Sequence, residues 1–159
     1  NGPIINYQAV CALSRGDSEK ADEYLSKYRS IRAAQGWKEA RITSSIGNIH
    51  LSANLIDEAE DLLLQGLALD PKNPSRMGDL AWILIDKDIN LEEGMELAEK
   101  ALKLVPDQPY ILDTWGWGLY KQGRYEAALE ALHKAWELRG PYDPDIMWHI
   151  QTVEEAMSN

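Results

Sequence analysis

The chain has 159 residues, 45% apolar and 26% charged, the make-up of a soluble globular protein long enough to bury a core. Lys+Arg number 16 against 26 Asp+Glu, and the net charge of -10 opposes phosphates and anionic lipid heads, which argues against a nucleic acid or a membrane surface as partner. Cys11 is the single cysteine, so no internal disulfide can form, and apolar runs such as Leu62-Leu63-Leu64 are far too short to span a bilayer.

In chain order, apolar residues recurring at helical spacing predict nine helices. Ile5, Ala9 and Ala12 set the stripe of the first, over 3–14, which stops at Gly16. Ala21 and Leu25 mark the second, over 18–33. The third, over 37–52, carries Ile46-Gly47 and ends before Asn54; the fourth, over 56–69, carries Ala59, Leu63 and Gly66 ahead of Pro71. Leu80-Ala81 and Leu84 define the fifth, over 75–86, which stops at Asp88. Asn90 is placed to cap the sixth, over 91–104, which holds Gly94, Ala98 and Ala101 and is followed by Pro106. Trp115-Gly116 and Leu119 lie in the seventh, over 109–121, which stops at Gly123. Ala128, Leu132 and Ala135 lie in the eighth, over 125–138, before Pro141. Ile146, Ile150, Val153 and Met157 stripe the ninth, over 144–157.

These elements repeat. Pro71, Pro106 and Pro141 are each 35 residues apart, and Ala59, Gly94 and Ala128 are separated by 35 and 34. Gly47, Ala81 and Gly116 are small where a partner helix must approach closely, and Ala59, Gly94 and Ala128 answer them from the other helix. Gly16, Asn54, Asp88 and Gly123 share one offset and are residue types that tolerate the left-handed backbone of a sharp helix end. The third unit has Ala98 where a bulkier residue is expected, so Leu97 or Leu102 is expected to fill that space. The first unit is about four residues longer than the others, and Tyr28 stands in a slot suited to a small side chain.

The unit length and the stretch from Leu112 to Ala135, with Trp115-Gly116, Lys121-Gln122-Gly123 and Tyr125-Glu126-Ala127-Ala128, resemble the tetratricopeptide repeat family, in a style that looks bacterial. The resemblance covers nearly the whole chain. It implies an all-α, α-α superhelix of four helix-turn-helix units, about 2–39, 40–73, 74–108 and 109–142, with a closing helix at 144–157, all in a single domain. Asn1-Gly2-Pro3 lacks an initiator Met and a signal-peptide pattern, and the expectation is a piece of a larger soluble protein, cytoplasmic or periplasmic.

No catalytic constellation stands out, and no cofactor or metal is expected. His50, His133 and His149 lack metal-type spacing with one another or with Cys11; His50 reads as a packed core residue, His133 as a surface one, and Cys11 as a small core residue. There is no phosphate-binding glycine loop, no nucleophile elbow and no zinc-protease motif. Acidic residues gather on the second helices, as at Glu92, Glu93, Glu96 and Glu99, and read as a solvated convex face.

The resemblance places ligand contacts on the first helix of each unit. The slots that result are Asn48 and Leu51 in the second unit, Trp82, Ile85 and Asp86 in the third, and Tyr110, Asp113, Trp117, Tyr120 and Lys121 in the fourth. Aromatic anchors with Asp86 and Asp113 suit an apolar peptide or protein carrying some positive charge. In relatives that hold acidic chaperone tails, a two-carboxylate clamp of Lys, Asn and Arg does the work. Its slots here hold Ser44, Asn48, Asp79, Tyr110 and Thr114, so that ligand is not expected. The expected function is a non-catalytic peptide-binding scaffold. The alternative is a structural or oligomerisation appendage whose groove is filled by its own chain or a second copy.

Overall fold

A computed structural model describes residues 2–139 and 143–158, apart from the side chains of residues 2 and 3. Among the described residues there are nine α-helices and no strand: α1 (Gly2–Ser14), α2 (Ser18–Ala34), α3 (Glu39–Ser52), α4 (Ile56–Leu69), α5 (Pro74–Asp86), α6 (Leu91–Leu104), α7 (Pro109–Lys121), α8 (Tyr125–Arg139) and α9 (Pro144–Met157). Every expected helix is present, its ends within two residues of those read from the sequence. The expected role of Pro141 falls outside the described residues. The chain divides into two compact units, 1–72 and 73–159.

In the first unit α1 pairs with α2 and α3 with α4. Both pairs turn through a left-handed residue, Gly16 at φ +70° and Asn54 at φ 62°. Gly47 is small for a packing reason, since a Cβ there would stand 3.1 Å from Leu63 Cγ and 3.2 Å from the Ala59 carbonyl oxygen. Ala9, Tyr28, Ile42, Ile46 and Ile49 form the core. Tyr28, too large for its slot by the repeat pattern, is accommodated because its hydroxyl lies 2.5 Å from Ser45 Oγ, so the polar end is satisfied while the ring is buried. The extra length of this unit lies mostly in α2, whose 17 residues exceed the 14 of α4 and of α6, while the connection between α2 and α3 is as short as its counterparts. Gly36, at φ +79°, turns the chain there, and Trp37 is held between the guanidinium groups of Arg32 and Arg41, at 4.5 and 3.7 Å. Cys11 is half-buried, so it is not the core residue expected.

In the second unit α5 pairs with α6 and α7 with α8, turning at Asp88 (φ 54°) and Gly123 (φ 73°). A Cβ on Gly94 would lie 2.6 Å from Ile85 Cγ1, and one on Gly116 would lie 2.7 Å from Leu132 Cγ, so both helix pairs depend on these missing side chains. Asn90 caps α6: its side-chain oxygen accepts from the Glu93 backbone N–H at 3.2 Å, while its amide donates to the Glu93 carboxylate at 3.0 Å. Ala98 itself is fully buried. Met95, buried, sends its thioether directly against Gly118, while Leu97 is only half-buried and Leu102 packs at the edge of the core. Ile85, Leu119, Ala128, Leu132 and Ala135 form one core with Ile146, Ile150 and Val153 of α9. Leu132 is fully buried, which stabilises the fold by about 1.5–3 kcal/mol. Met157, expected on the same stripe, is exposed.

Candidate functional site

The three first-position helices of the second unit, α5, α7 and α9, open with Pro74, Pro109 and Pro144, each pre-set for helical φ. Gly78 lets the start of α7 come close to α5. A Cβ there would sit 3.1 Å from Ile111 and 3.3 Å from the Tyr110 ring. The Tyr110 hydroxyl donates to the Gly78 carbonyl at 3.4 Å. Desolvation of that phenol, reinforced by the carboxylates of Asp79 and Asp113, pushes its pKa up from the ordinary tyrosine value, so Tyr110 stays a neutral donor.

Between these helices lies a cavity of about 430 Å³. Trp82 and Asp86 line it from α5, Tyr110 and Asp113 from α7, Arg139 from the end of α8, and Asp143, Asp145, Trp148 and His149 from the cap and first turns of α9. Four carboxylates thus face one guanidinium. Most are already engaged: Asp113 with His149 Nδ1 at 2.7 Å, Asp143 with Arg139 Nε at 3.0 Å, and Asp86 with Lys87 Nζ at 2.8 Å. Asp143 also caps α9 through the backbone N–H groups of Asp145 and Ile146. The Asp145 carboxylate has no ion-pair partner among the described residues.

Of the residues expected from sequence, Trp82, Asp86, Tyr110 and Asp113 meet at this cavity. Trp117 lies behind it, 6% exposed, its ring stacked on His149 at 4.4 Å and on Tyr120 at 4.8 Å. Its indole N–H is buried without a hydrogen-bond partner among the described residues. Ile85 is fully buried in the core and offers no surface. Lys121 is tied down: its ammonium donates to the Asp86 carbonyl at 3.0 Å and to the Asp88 carboxylate at 2.7 Å. In the first unit, Asn48 is exposed and Leu51 half-buried on α3. His50 is half-buried, its Nδ1 2.9 Å from the Ile46 carbonyl oxygen, and His133 is exposed.

Sequence reasoning missed Arg139, Asp143, Asp145, Trp148 and His149 as site residues, because it treated α9 as a cover. The signal was there. Pro144 continues the 35-residue interval of Pro74 and Pro109, so α9 is the first helix of a further unit. Asp145 and Trp148 then occupy its second and fifth positions, where α7 has Tyr110 and Asp113. No group of three or more His, Cys, Asp or Glu among the described residues is arranged to hold a metal ion. No helix of the described residues is long and apolar enough to cross a membrane.

Antiparallel helix pairs closed by left-handed turns and packed through small residues define a helical-hairpin repeat protein. Comparison with known proteins shows what the chain is similar to. Residues 114–140 match a tetratricopeptide repeat model. A 69-residue stretch is 39% identical to the TPR repeat-containing protein PA4667 of Pseudomonas aeruginosa, covering 43% of this chain and only 12% of that protein. Among solved structures, the Sgt2 TPR domain of Aspergillus fumigatus superposes with a TM-score of 0.67 at 23% identity, over 77% of this chain and 81% of that one. MamA from Desulfovibrio magneticus RS-1 does so at 0.65 and 16%, over 99% and 85%. The first TPR of Spaghetti (RPAP3), bound to the HSP90 peptide SRMEEVD, gives 0.65 at 18%, over 76% and 94%. Residues 114–140 thus match a tetratricopeptide repeat, and the chain has the all-α repeat fold of these tetratricopeptide structures.

Proposed function

We propose that the chain is a non-catalytic scaffold that binds a peptide or a peptide-like segment of another protein on the first-helix faces of its repeats. The observation that carries this reading is the cavity between α5, α7 and α9, where the rings of Trp82, Tyr110 and Trp148 converge with four carboxylates. Trp148 is 55% exposed and Tyr110 37%, so each keeps apolar surface that a partner would bury. The excess of carboxylates favours a partner with positive charge beside its apolar anchors. An acidic tail of the kind bound by the Spaghetti domain suits this chain poorly. Of the slots that would clamp it, Ser44 and Thr114 are fully buried, and Asp79 is ion-paired with Arg76 at 3.2 Å.

A peptide array probed with wild-type protein and with Trp148→Ala tests the proposal. Apolar, basic peptides should be retained, with affinity falling as salt rises, and the variant should lose about 2 kcal/mol of binding if Trp148 is an anchor. An array on which nothing is retained, or one read identically by both proteins, removes this site.

A further inference from the structure

Resting on the scaffold reading, we infer that the cavity between α5, α7 and α9 takes the side chain of one arginine of the partner. The arginine's stem lies among the rings of Trp82, Tyr110 and Trp148, and its guanidinium faces Asp145. At about 430 Å³ the cavity is near the small end of ligand pockets, which suits one long side chain and not a whole helix. Its walls divide by chemistry: indole and phenol faces on one hand, carboxylates on the other. A planar, weakly hydrated guanidinium on a methylene stem matches both, because it stacks on rings and forks onto carboxylates. The compact, strongly hydrated ammonium of lysine matches the charge but not the plane.

The internal ion pairs decide where the charge goes. Asp113 is committed to His149, Asp143 to Arg139 and Asp86 to Lys87, while Asp145, exposed at the start of α9, keeps its charge unmatched among the described residues. Among the described residues, Arg139 at the end of α8 is the cation lining the cavity, and its Nε is 3.0 Å from Asp143, so its charge is matched there and not by Asp145. His149 acts here as a positioning residue. Its bond to Asp113 fixes α9, and with it Trp148 and Asp145, against α5 and α7.

The test uses N-acetyl-arginine amide as probe, followed through the indole N–H signals of Trp82 and Trp148 in an amide-proton correlation spectrum. The neutral isostere N-acetyl-citrulline amide and N-acetyl-lysine amide are run alongside. Arginine should give saturable shifts at these two indoles, with citrulline about tenfold weaker and lysine in between. Asp145→Asn should weaken arginine severalfold at an unchanged melting temperature. Equal shifts from arginine and citrulline, shifts that never saturate, or full arginine binding by Asp145→Asn would each overturn the inference. The scaffold reading fails separately: retained peptides that lack arginine but are lost with Trp148→Ala would uphold that reading and overturn the arginine site.

Discussion

His149 Nδ1 on α9 lies 2.7 Å from the Asp113 carboxylate on α7, and both side chains are buried. This bond joins the last helix to the repeat before it at the floor of the cavity. It is surrounded by rings, with Trp117 at 4.4 Å, Trp148 at 5.2 Å and Trp82 at 5.8 Å from the imidazole. A buried carboxylate needs such a partner, because desolvation without one is costly.

Removing the imidazole should therefore cost more than the contact itself. His149→Ala leaves Asp113 buried and unpaired and should destabilise the chain by about 3–5 kcal/mol in denaturant melts. Asp113→Asn, which keeps a hydrogen-bonding oxygen and removes the charge, should cost less. If the loss in the His149→Ala, Asp113→Asn double variant equals the sum of the two single losses, the two residues are not coupled.

Trp117 and Trp148 touch, with centroids 5.2 Å apart, yet they should behave oppositely. Trp117 is buried in the core, so Trp117→Ala should lower stability by about 3–5 kcal/mol. Trp148 is more than half exposed, so Trp148→Ala should change stability little and peptide retention a great deal. Urea melts of both variants beside the peptide array separate the two roles, and a strongly destabilised Trp148→Ala would count against a binding role for that ring.

The hairpin register was legible in the sequence because each constraint on it is local. The left-handed turns at Gly16, Asn54, Asp88 and Gly123 and the cap at Asn90 involve residues a few positions apart. The candidate site was only half legible. Trp82, Asp86, Tyr110 and Asp113 follow from position within a unit, but their exposure depends on what α9 brings across. Trp117 occupies a ligand-facing slot by count and is buried because His149 and Trp148 cover it, 36 positions away for the Asp113–His149 bond. Tandem periodicity specifies which face of a helix a residue stands on, not which partner covers that face.

Close helix approach within the fourth repeat should be sensitive to added volume. Ala128 is fully buried facing Gly116, so Ala128→Leu should overpack that contact and cost about 1–3 kcal/mol. Glu130, two positions on and exposed, should accept leucine within about 0.5 kcal/mol. Equal urea midpoints for the two variants would contradict the packing assigned to α7 and α8.

The last helix should act as both cap and cavity wall. Ile146, Ile150 and Val153 bury one side of α9 in the core, while Gln151, Glu154 and Glu155 are exposed on another. Position eight of a first helix is Ala81 in α5 and Gly116 in α7, the small residues against which a second helix packs. In α9 the same position is Gln151, whose bulk and polarity do not suit a further close pair. A chain ending at Arg139 should expose the side of α7 and α8 that α9 covers. Such a chain should dimerise or aggregate in light scattering and melt at lower temperature. It should also lose peptide retention, because Asp145, Trp148 and His149 leave with the helix. A truncated chain that stays monomeric and as stable as the parent would show that α9 is no cap. One that still retains the same peptides would place the binding site away from the cavity.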